Sequence, residues 1–176
     1  MSKLTLILVL FLGACASSLQ GFKLRGEGPQ GAWCEGTAFV IGPNRLLTAA
    51  HVYEPGMAWE VEGHPATWSF GMLADGPEGH IDLAVVQAAV GGDVAEISTA
   101  DPEEPCEVLT PRGTLVGFVA GEDIYRVEPR IMHGDSGSPV VQGGKLVGVL
   151  WAMTSEEDGT SGKVITGRAI HSFFGR

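Results

Sequence analysis

Short β-rich runs that end in glycine- or proline-containing turns recur along this sequence and constrain its fold more than any other feature. The runs over residues 37–41 and 46–50 are separated by a turn signal at residues 42–45, and a second pair of runs, within residues 138–151, is separated by two consecutive glycines. Both patterns predict β-hairpins. The 26 glycines and 10 prolines supply turn residues throughout, while long helical periodicities are few. The sequence therefore predicts an all-β fold built from many short strands.

The first 14 residues have the composition of a signal peptide. Lys3 supplies a positive charge, residues 4–12 are apolar but too few to cross a bilayer, and Gly13 and Ala14 are small residues that suit a cleavage site. The tetrapeptide that ends at Cys15 also resembles a bacterial lipobox, in which the cysteine carries a lipid after cleavage. We therefore expect a protein that is exported to the bacterial cell envelope and lipid-anchored to the membrane through Cys15. A plain secretory signal is the alternative.

Composition divides the rest of the chain into a tether, two folded units and a linker. Residues 15–31 are polar and glycine-rich without a period, which predicts a flexible tether after the anchor. Residues 99–105 combine acidic residues with prolines and predict an exposed linker. The folded units are then expected over residues 32–98 and 106–176, with a last strand at residues 164–170.

The formal charge of −10 argues against one class of partner. Nucleic-acid binding needs a basic patch, and this chain has 11 basic against 21 acidic residues, with no cluster of lysines or arginines. We therefore expect no nucleic-acid partner.

Ser136 stands in a glycine-flanked turn directly before an apolar run, a position that suits a nucleophile. Gly134 and Gly137 lack a Cβ, so the backbone can adopt a strained loop and let a carbonyl approach closely. The main-chain N–H groups of Gly134 and Ser136 are then the candidate donors of an oxyanion hole. The tetrapeptide Gly-Asp-Ser-Gly is by itself more often an ordinary turn, so the catalytic interpretation depends on a base and on a group that orients it.

A histidine and an aspartate upstream supply those partners. His51 ends the run Leu-Thr-Ala-Ala-His, and Asp82 begins the run Asp-Leu-Ala. The order His, Asp, Ser is that of the chymotrypsin-type triad and differs from the orders in subtilisins and α/β-hydrolases. Together with Gly-Asp-Ser-Gly-Ser-Pro around Ser136, these motifs resemble the signatures of the trypsin-like serine proteases, over residues 33–176.

The resemblance implies two six-stranded antiparallel β-barrels of the chymotrypsin-like type, with trimmed loops and a short C-terminal helix stub from residue 171. It also implies a serine endopeptidase in which Ser136 attacks a peptide carbonyl and forms an acyl-enzyme, while His51 acts as the base and Asp82 orients it. Such an enzyme needs no cofactor and acts on a protein or peptide substrate, and we expect a monomer. The alternative is a catalytically inactive trypsin-like surface module that binds a protein partner.

Arg130, His133 and Trp151 are the candidate substrate-binding residues. Arg130 stands six positions before Ser136, where the resemblance places the base of the specificity pocket, and His133 is expected at the entrance of the site. Arg130 in the pocket would favour an acidic substrate residue, whereas Arg130 facing solvent would not, and the sequence leaves both open. The activation sequence of the family is missing from this chain, so Asp135 is expected to be a structural hydrogen-bonding residue.

Two other sets of residues have binding chemistry of their own. Cys34 and Cys106 remain as an even pair if Cys15 is lipidated, so in an oxidising compartment they are a candidate disulfide, with two free thiols as the alternative. His80 lies two positions before Asp82 and suggests a metal pair. No third ligand has suitable spacing, however, so no metal site is expected.

Overall fold

The computed structural model describes residues 19–76, 79–94, 96–154 and 160–175. The predicted signal peptide over residues 1–14 and the predicted lipidation site Cys15 lie outside the described residues. Within the part of the chain that is described, no helix is both long and apolar enough to cross a bilayer.

The first six strands form a closed antiparallel barrel. They are β1 (Phe22–Glu27), β2 (Trp33–Gly42), β3 (Arg45–Thr48), β4 (Ala58–Val61), β5 (His64–Gly76) and β6 (Gly79–Gln87). Around the barrel the strands follow the order β1-β2-β3-β6-β5-β4, and β4 pairs with β1 to close it.

The next six strands form a second closed antiparallel barrel, so the predicted all-β double barrel is confirmed. They are β7 (Cys106–Thr110), β8 (Gly113–Ala120), β9 (Asp123–Glu128), β10 (Pro139–Gln142), β11 (Lys145–Met153) and β12 (Ser161–Thr166). The order is β10-β11-β12-β9-β8-β7, and β7 pairs with β10. In the β10–β11 hairpin, Gly143 and Gly144 have φ angles of +56° and +79°, the left-handed conformations that suit a two-residue turn.

Buried apolar side chains form three clusters, one inside each barrel and one between the barrels. The alternation along β6 shows how one strand serves two of them. Leu83 and Val85 pack in the cluster between the barrels, whereas Val86 packs inside the first barrel. On the opposite side of the interbarrel cluster lie Val149 and Ile165 of the second barrel. Because removal of apolar surface from water stabilises such contacts, the third cluster holds the two barrels against each other.

The structure corrects the flexible tether predicted over residues 15–31. Residues 22–27 form β1, which lies between β2 and β4 and completes the first barrel. Phe22 and Leu24 are buried on its inner face, and Leu19 is only 5% exposed in the cluster between the barrels. The first barrel therefore begins before its predicted boundary.

The connection between the barrels contacts both of them: Ala88 and Val90 pack into the first barrel, whereas residues 97–104 lie against the second. Ile97 forms an isolated parallel bridge with Leu146 of β11. The side-chain amide of Gln142 donates to the carbonyls of Asp101 and Glu104, at 2.9 and 2.8 Å. The acidic segment that was predicted as a linker is thus attached to β10.

The C-terminal helix α1 (Gly167–Phe174) begins four residues earlier than the sequence indicated. Thr166 ends β12 and caps the helix, because its Oγ1 accepts the N–H of Ala169 at 3.3 Å. Ala169, Ile170 and Phe173 are buried on one face of the helix, in the cluster between the barrels. The strand predicted over residues 164–170 is therefore wrong beyond Thr166, while the predicted short C-terminal helix is confirmed.

Candidate active site

Asp82 holds His51 in one orientation through two hydrogen bonds. His51 lies in a 3₁₀ turn (Ala50–Val52) after β3, and Asp82 lies in β6, the neighbouring strand. The main-chain N–H of His51 donates to Asp82 Oδ1 at 2.8 Å, and His51 Nδ1 lies 2.5 Å from Oδ2. Asp82 is fully buried, whereas 41% of the His51 side chain is exposed. The pair therefore leaves Nε2 of His51 available as a base at the surface.

The loop between β9 and β10 carries Ser136 to the same end of the junction between the barrels. Gly36 of β2 lies between the two parts of the site: a Cβ added there would be 2.8 Å from a Val52 methyl and 3.2 Å from the Ser136 carbonyl oxygen. Because Val52 directly follows His51, the loop of Ser136 lies against the segment that holds the candidate base. The structure thus places the Ser136 loop and the segment that holds His51 on the two sides of Gly36.

The Ser136 hydroxyl donates to the main-chain carbonyl of Trp151 in β11, at 3.2 Å. Within the described residues it makes no hydrogen bond to His51. Rotation about the Cα–Cβ bond of Ser136, between staggered rotamers, is the movement that would turn Oγ from Trp151 toward His51.

Thr37 of β2 fastens the Ser136 loop to the first barrel. Its main-chain N–H donates to the Ser136 carbonyl at 2.7 Å, and its Oγ1 donates to the Gly134 carbonyl at 2.8 Å. Thr48 Oγ1 in turn donates to the Thr37 carbonyl at 2.6 Å, and both threonines are fully buried. Sequence reasoning missed them, because a threonine in a β-rich run is typical of any strand.

Gly137 is required by this contact. Its φ is +91°, and a Cβ at this position would lie 2.0 Å from the Thr37 carbonyl oxygen and 2.5 Å from Thr48 Oγ1. No side chain fits there, so the second glycine of Gly-Asp-Ser-Gly lets the loop approach β2 and β3 closely.

The N–H groups of Gly134 and Ser136 are among those of the loop that form no hydrogen bond within the described residues. Gly134 has a φ of +90°, and its own carbonyl oxygen accepts a hydrogen bond from Thr37 Oγ1. Three other N–H groups of the loop are used within the fold: Asp135 to Met132, Gly137 to Leu150 and Ser138 to Asp135. Among the described residues, the N–H groups of Gly134 and Ser136 have no backbone acceptor. These are the two predicted donors of the oxyanion hole.

Arg112 neutralises Asp135 beneath the loop. Arg112 lies in the turn between β7 and β8, and its Nε and Nη2 donate to the two carboxylate oxygens of Asp135 at 3.0 and 2.5 Å. Asp135 also accepts the N–H of Met132 at 2.8 Å and is only 2% exposed. A bidentate charged pair of this kind is geometrically specific. Sequence reasoning assigned Asp135 a structural role but did not identify Arg112.

The three predicted substrate-binding residues lie around the loop in different ways. The Arg130 side chain is exposed, and its main-chain carbonyl accepts from Arg112 Nη2 at 2.7 Å. His133 is exposed next to Gly134, in a cleft beside the loop. Trp151 is partly buried and contributes the carbonyl that accepts the Ser136 hydroxyl.

Cys34 and Cys106 are free thiols, so of the two alternatives that the sequence left open the structure has the unbonded one. The two cysteines belong to different barrels, and each thiol donates to a carbonyl of its own barrel at 3.3 Å, Cys34 to Val52 and Cys106 to Gly117. Burial raises the pKa of the Cys106 thiol to about 11. Burial, and after it the negative charge of Glu54, raises the pKa of Cys34.

His80 packs beside the candidate triad without a metal-ligand set. Its ring stacks on Trp151 with centroids 4.4 Å apart, and its Nδ1 lies 2.8 Å from Asp75 Oδ1. Among the described residues, no three histidine, cysteine or acidic side chains form a group that could hold a metal ion.

The fold has counterparts among solved structures. No protein-family profile matches the sequence, and no curated protein matches it. The Rv3671c protease of M. tuberculosis in its active form superposes with a TM-score of 0.65 and 20% identity, over 89% of this chain and 80% of that one. The serine endoprotease of Yersinia pestis has a TM-score of 0.67 and 15% identity, over 92% of this chain and 64% of that one.

An inactivated protease paralogue of the scabies mite is also similar, with a TM-score of 0.59 and 12% identity, over 87% of this chain and 90% of that one. At such identities the similarity establishes the fold rather than the activity. The chain has the chymotrypsin-like fold predicted from its sequence.

Proposed function

We propose that this protein is a serine endopeptidase that hydrolyses peptide bonds through His51, Asp82 and Ser136. The observation that carries the proposal is the pair of hydrogen bonds from His51 to the fully buried Asp82, together with a serine loop in which the N–H groups of Gly134 and Ser136 have no acceptor among the described residues. A buried carboxylate stabilises the imidazolium that forms during catalysis and selects the tautomer with the proton on Nδ1. The similar solved structures include serine proteases, which supports the same class of reaction.

In the proposed reaction, Ser136 Oγ turns toward His51 and attacks the carbonyl carbon of the scissile bond while Nε2 takes its proton. Negative charge moves to the carbonyl oxygen, which accepts from the N–H groups of Gly134 and Ser136. The C–N bond breaks as His51 returns the proton to the leaving amine, so the acyl chain remains as an ester on Ser136. A water molecule, deprotonated by His51, then hydrolyses the ester. Loss of one oxyanion donor in such sites costs about 10²–10³ in rate.

The Arg112–Asp135 pair supports a loop that is ordered without proteolytic activation. In the familiar trypsin-like switch, a newly cut N-terminus pairs with the aspartate before the serine. Here the guanidinium of Arg112 occupies both oxygens of that aspartate. We therefore propose that the enzyme needs no cut N-terminus to form its oxyanion hole.

The cellular setting is proposed from the sequence. The segment that ends at Cys15 supports export and lipid anchoring in a bacterial cell envelope, so the substrates would be proteins or peptides outside the cytoplasm. We propose that the protein acts as a monomer and without a cofactor, because the triad chemistry needs none.

A binding module without activity is the second candidate. The observation that favours it is the Ser136 hydroxyl, which is bonded to the Trp151 carbonyl rather than to His51. The scabies mite structure, described as an inactivated protease paralogue, has the same fold.

Covalent labelling by a fluorophosphonate probe separates the two candidates. The chain begun at Ala16 would be labelled and the modified residue located by mass spectrometry, with Ser136→Ala and His51→Ala as controls. Labelling at Ser136 that both substitutions abolish is the expected result. A folded chain that is not labelled, and a Ser136→Ala variant that keeps its biological activity, would support the binding module.

A further inference from the structure

A small cleft lies beside the Ser136 loop, on the side of the first barrel. It encloses about 210 Å³, and its walls include Lys23, Glu35, Gly36, His133 and Gly134. None of the predicted catalytic side chains faces it. Its charged side chains are Lys23 of β1, Glu35 of β2, Arg112 of the β7–β8 turn and Asp135 of the Ser136 loop.

The Glu35 carboxylate lies directly against the oxyanion donor Gly134. A Cβ placed on Gly134 would be 3.0 Å from Glu35 Oε1, so the carboxylate packs across the Cα of that glycine. The other oxygen, Oε2, forms an ion pair with Lys23 Nζ at 2.9 Å. Among the described residues, no donor is recorded for Oε1. One carboxylate oxygen is therefore paired, while the other faces the cleft.

The cleft lies on one side of Ser136 and β11 lies on the other. The Trp151 carbonyl of β11 is 3.2 Å from Ser136 Oγ, whereas Gly36 of β2 is in contact with the Ser136 carbonyl. Consider an extended peptide whose scissile carbonyl oxygen accepts from the Gly134 N–H. The part of the peptide on one side of that carbonyl then runs along β11, and the part on the other side lies at the cleft. We assign the half at the cleft to the leaving group.

Of the two carboxylates that line the cleft, Glu35 is the one that an incoming cationic side chain can pair with. Arg112 is occupied by Asp135 and by the Arg130 carbonyl, and Asp135 is buried beneath the loop. The Lys23 side chain is 52% exposed and that of Glu35 29%, and ion pairs as exposed as this one contribute little free energy. Another cation can therefore displace Lys23 from Glu35 at little cost in free energy.

We propose that Glu35 selects substrates with a lysine or arginine in the first two positions after the scissile bond, and that Lys23 is the resident counter-ion which that side chain displaces. This inference rests on the proposed endopeptidase function. An arginine would pair best, because its planar guanidinium matches a carboxylate with two parallel hydrogen bonds.

The test uses the full-length chain and a mixture of peptides derived from a proteome. Mass spectrometry of the products identifies the residues on both sides of each cut, and matched peptides with arginine or methionine after the cut then give the ratio of their kcat/KM values. We expect wild-type protein to favour arginine by about fivefold, as a partly exposed carboxylate that pairs with two N–H groups of a guanidinium permits.

Two substitutions should move this ratio in opposite directions, which a merely structural role would not do. Glu35→Gln should bring the ratio close to one, because the amide carries no charge. Lys23→Met should raise it, because the competing cation is gone. Glu96→Gln is the matched control: it removes the carboxylate of another exposed ion pair, that with Lys145, and should leave the ratio as in wild type.

The outcomes separate this inference from the proposed function. Cleavage with the same ratio in wild type and Glu35→Gln overturns the assignment of Glu35 while the endopeptidase stands. A basic preference confined to the residues before the cut overturns the assignment of the cleft to the leaving group. A wild-type chain that is not labelled by the fluorophosphonate and cuts no peptide overturns the proposed function and this inference with it.

Discussion

Thr37 is the residue through which the first barrel holds the Ser136 loop of the second. Replacement by valine keeps the shape and the main-chain hydrogen bond to Ser136, but removes the hydroxyl that donates to the Gly134 carbonyl. We expect Thr37→Val to slow fluorophosphonate labelling by about tenfold or more, because small displacements of catalytic groups are costly. Thr37→Ser, which retains the hydroxyl, should label at nearly the wild-type rate. Equal rates for the two variants would show that the hydroxyl does not position the loop.

Arg112 compensates a carboxylate that is almost completely buried. Arg112→Met would leave Asp135 charged and unpaired, so we expect a loss of about 3 kcal/mol in the free energy of unfolding, measured with urea. The double variant Arg112→Met with Asp135→Asn should recover part of that loss. As a control, Lys163→Met breaks the exposed ion pair with Asp123 and should cost about 1 kcal/mol or less.

Cys106 makes the stability sensitive to alkaline pH. Burial raises its pKa from the ordinary 9.0 to about 11, so the folded chain keeps the thiol proton over a range in which the unfolded chain releases it. The stabilising contribution is therefore complete below pH 9 and is lost as the pH rises to 11. Urea unfolding between pH 8 and pH 11 should show a decline of roughly 2 kcal/mol from this group. Cys106→Ala should show a shallower decline, and an unchanged slope would contradict the prediction.

The candidate catalytic residues carry a signal in the sequence, but the residues that hold them do not. His51, Asp82 and Ser136 stand in short motifs whose chemistry and order are specific. Thr37 and Arg112 carry no local signal, because their roles depend on partners that are distant in sequence. The Thr37 hydroxyl bonds a carbonyl 97 positions away, and Arg112 pairs with a carboxylate 23 positions away.

At the scale of elements, the errors of prediction lie at the two ends of the chain. β1 alternates buried Phe22 and Leu24 with exposed Lys23 and Arg25, but two inward residues among glycines are a weak period-2 signal. At the other end, the β-rich residues of β12 run directly into α1. Only Thr166, whose side chain caps the helix, marks the change from the strand pattern of β12 to the helical pattern of α1.

β1 gives a direct test of the difference between a tether and a strand. A chain begun at Ala32 lacks the strand that joins β2 to β4, so the first barrel stays open and its edges unpaired. We expect this chain to lose cooperative thermal unfolding, measured by circular dichroism. The chain begun at Ala16 retains β1 and should unfold cooperatively. Cooperative unfolding of the shorter chain would mean that β1 is dispensable.

For the whole molecule, the cluster between the barrels is what makes a site from residues so distant in sequence. The resemblance implied two barrels that pack against each other, with the candidate residues at their junction. The extent of the apolar packing between the two barrels was not predictable, because α1 and the segment before β1 both contribute side chains to that cluster. Substitutions that loosen this packing should therefore affect Ser136 and His51 together.

The burial of Leu19 also limits the distance that a lipid anchor on Cys15 would allow between the membrane and the barrels. Leu19 lies four positions after Cys15 and is already packed between the barrels. Even a fully extended chain spans at most about 14 Å over four residues. A lipid on Cys15 would therefore hold the barrels close to the bilayer, because the chain between the lipid and the barrels is too short to act as a long flexible tether. Encounter with substrate would then become a search in two dimensions, so that proteins embedded in the same membrane, or passing within a few nanometres of it, are the ones within reach.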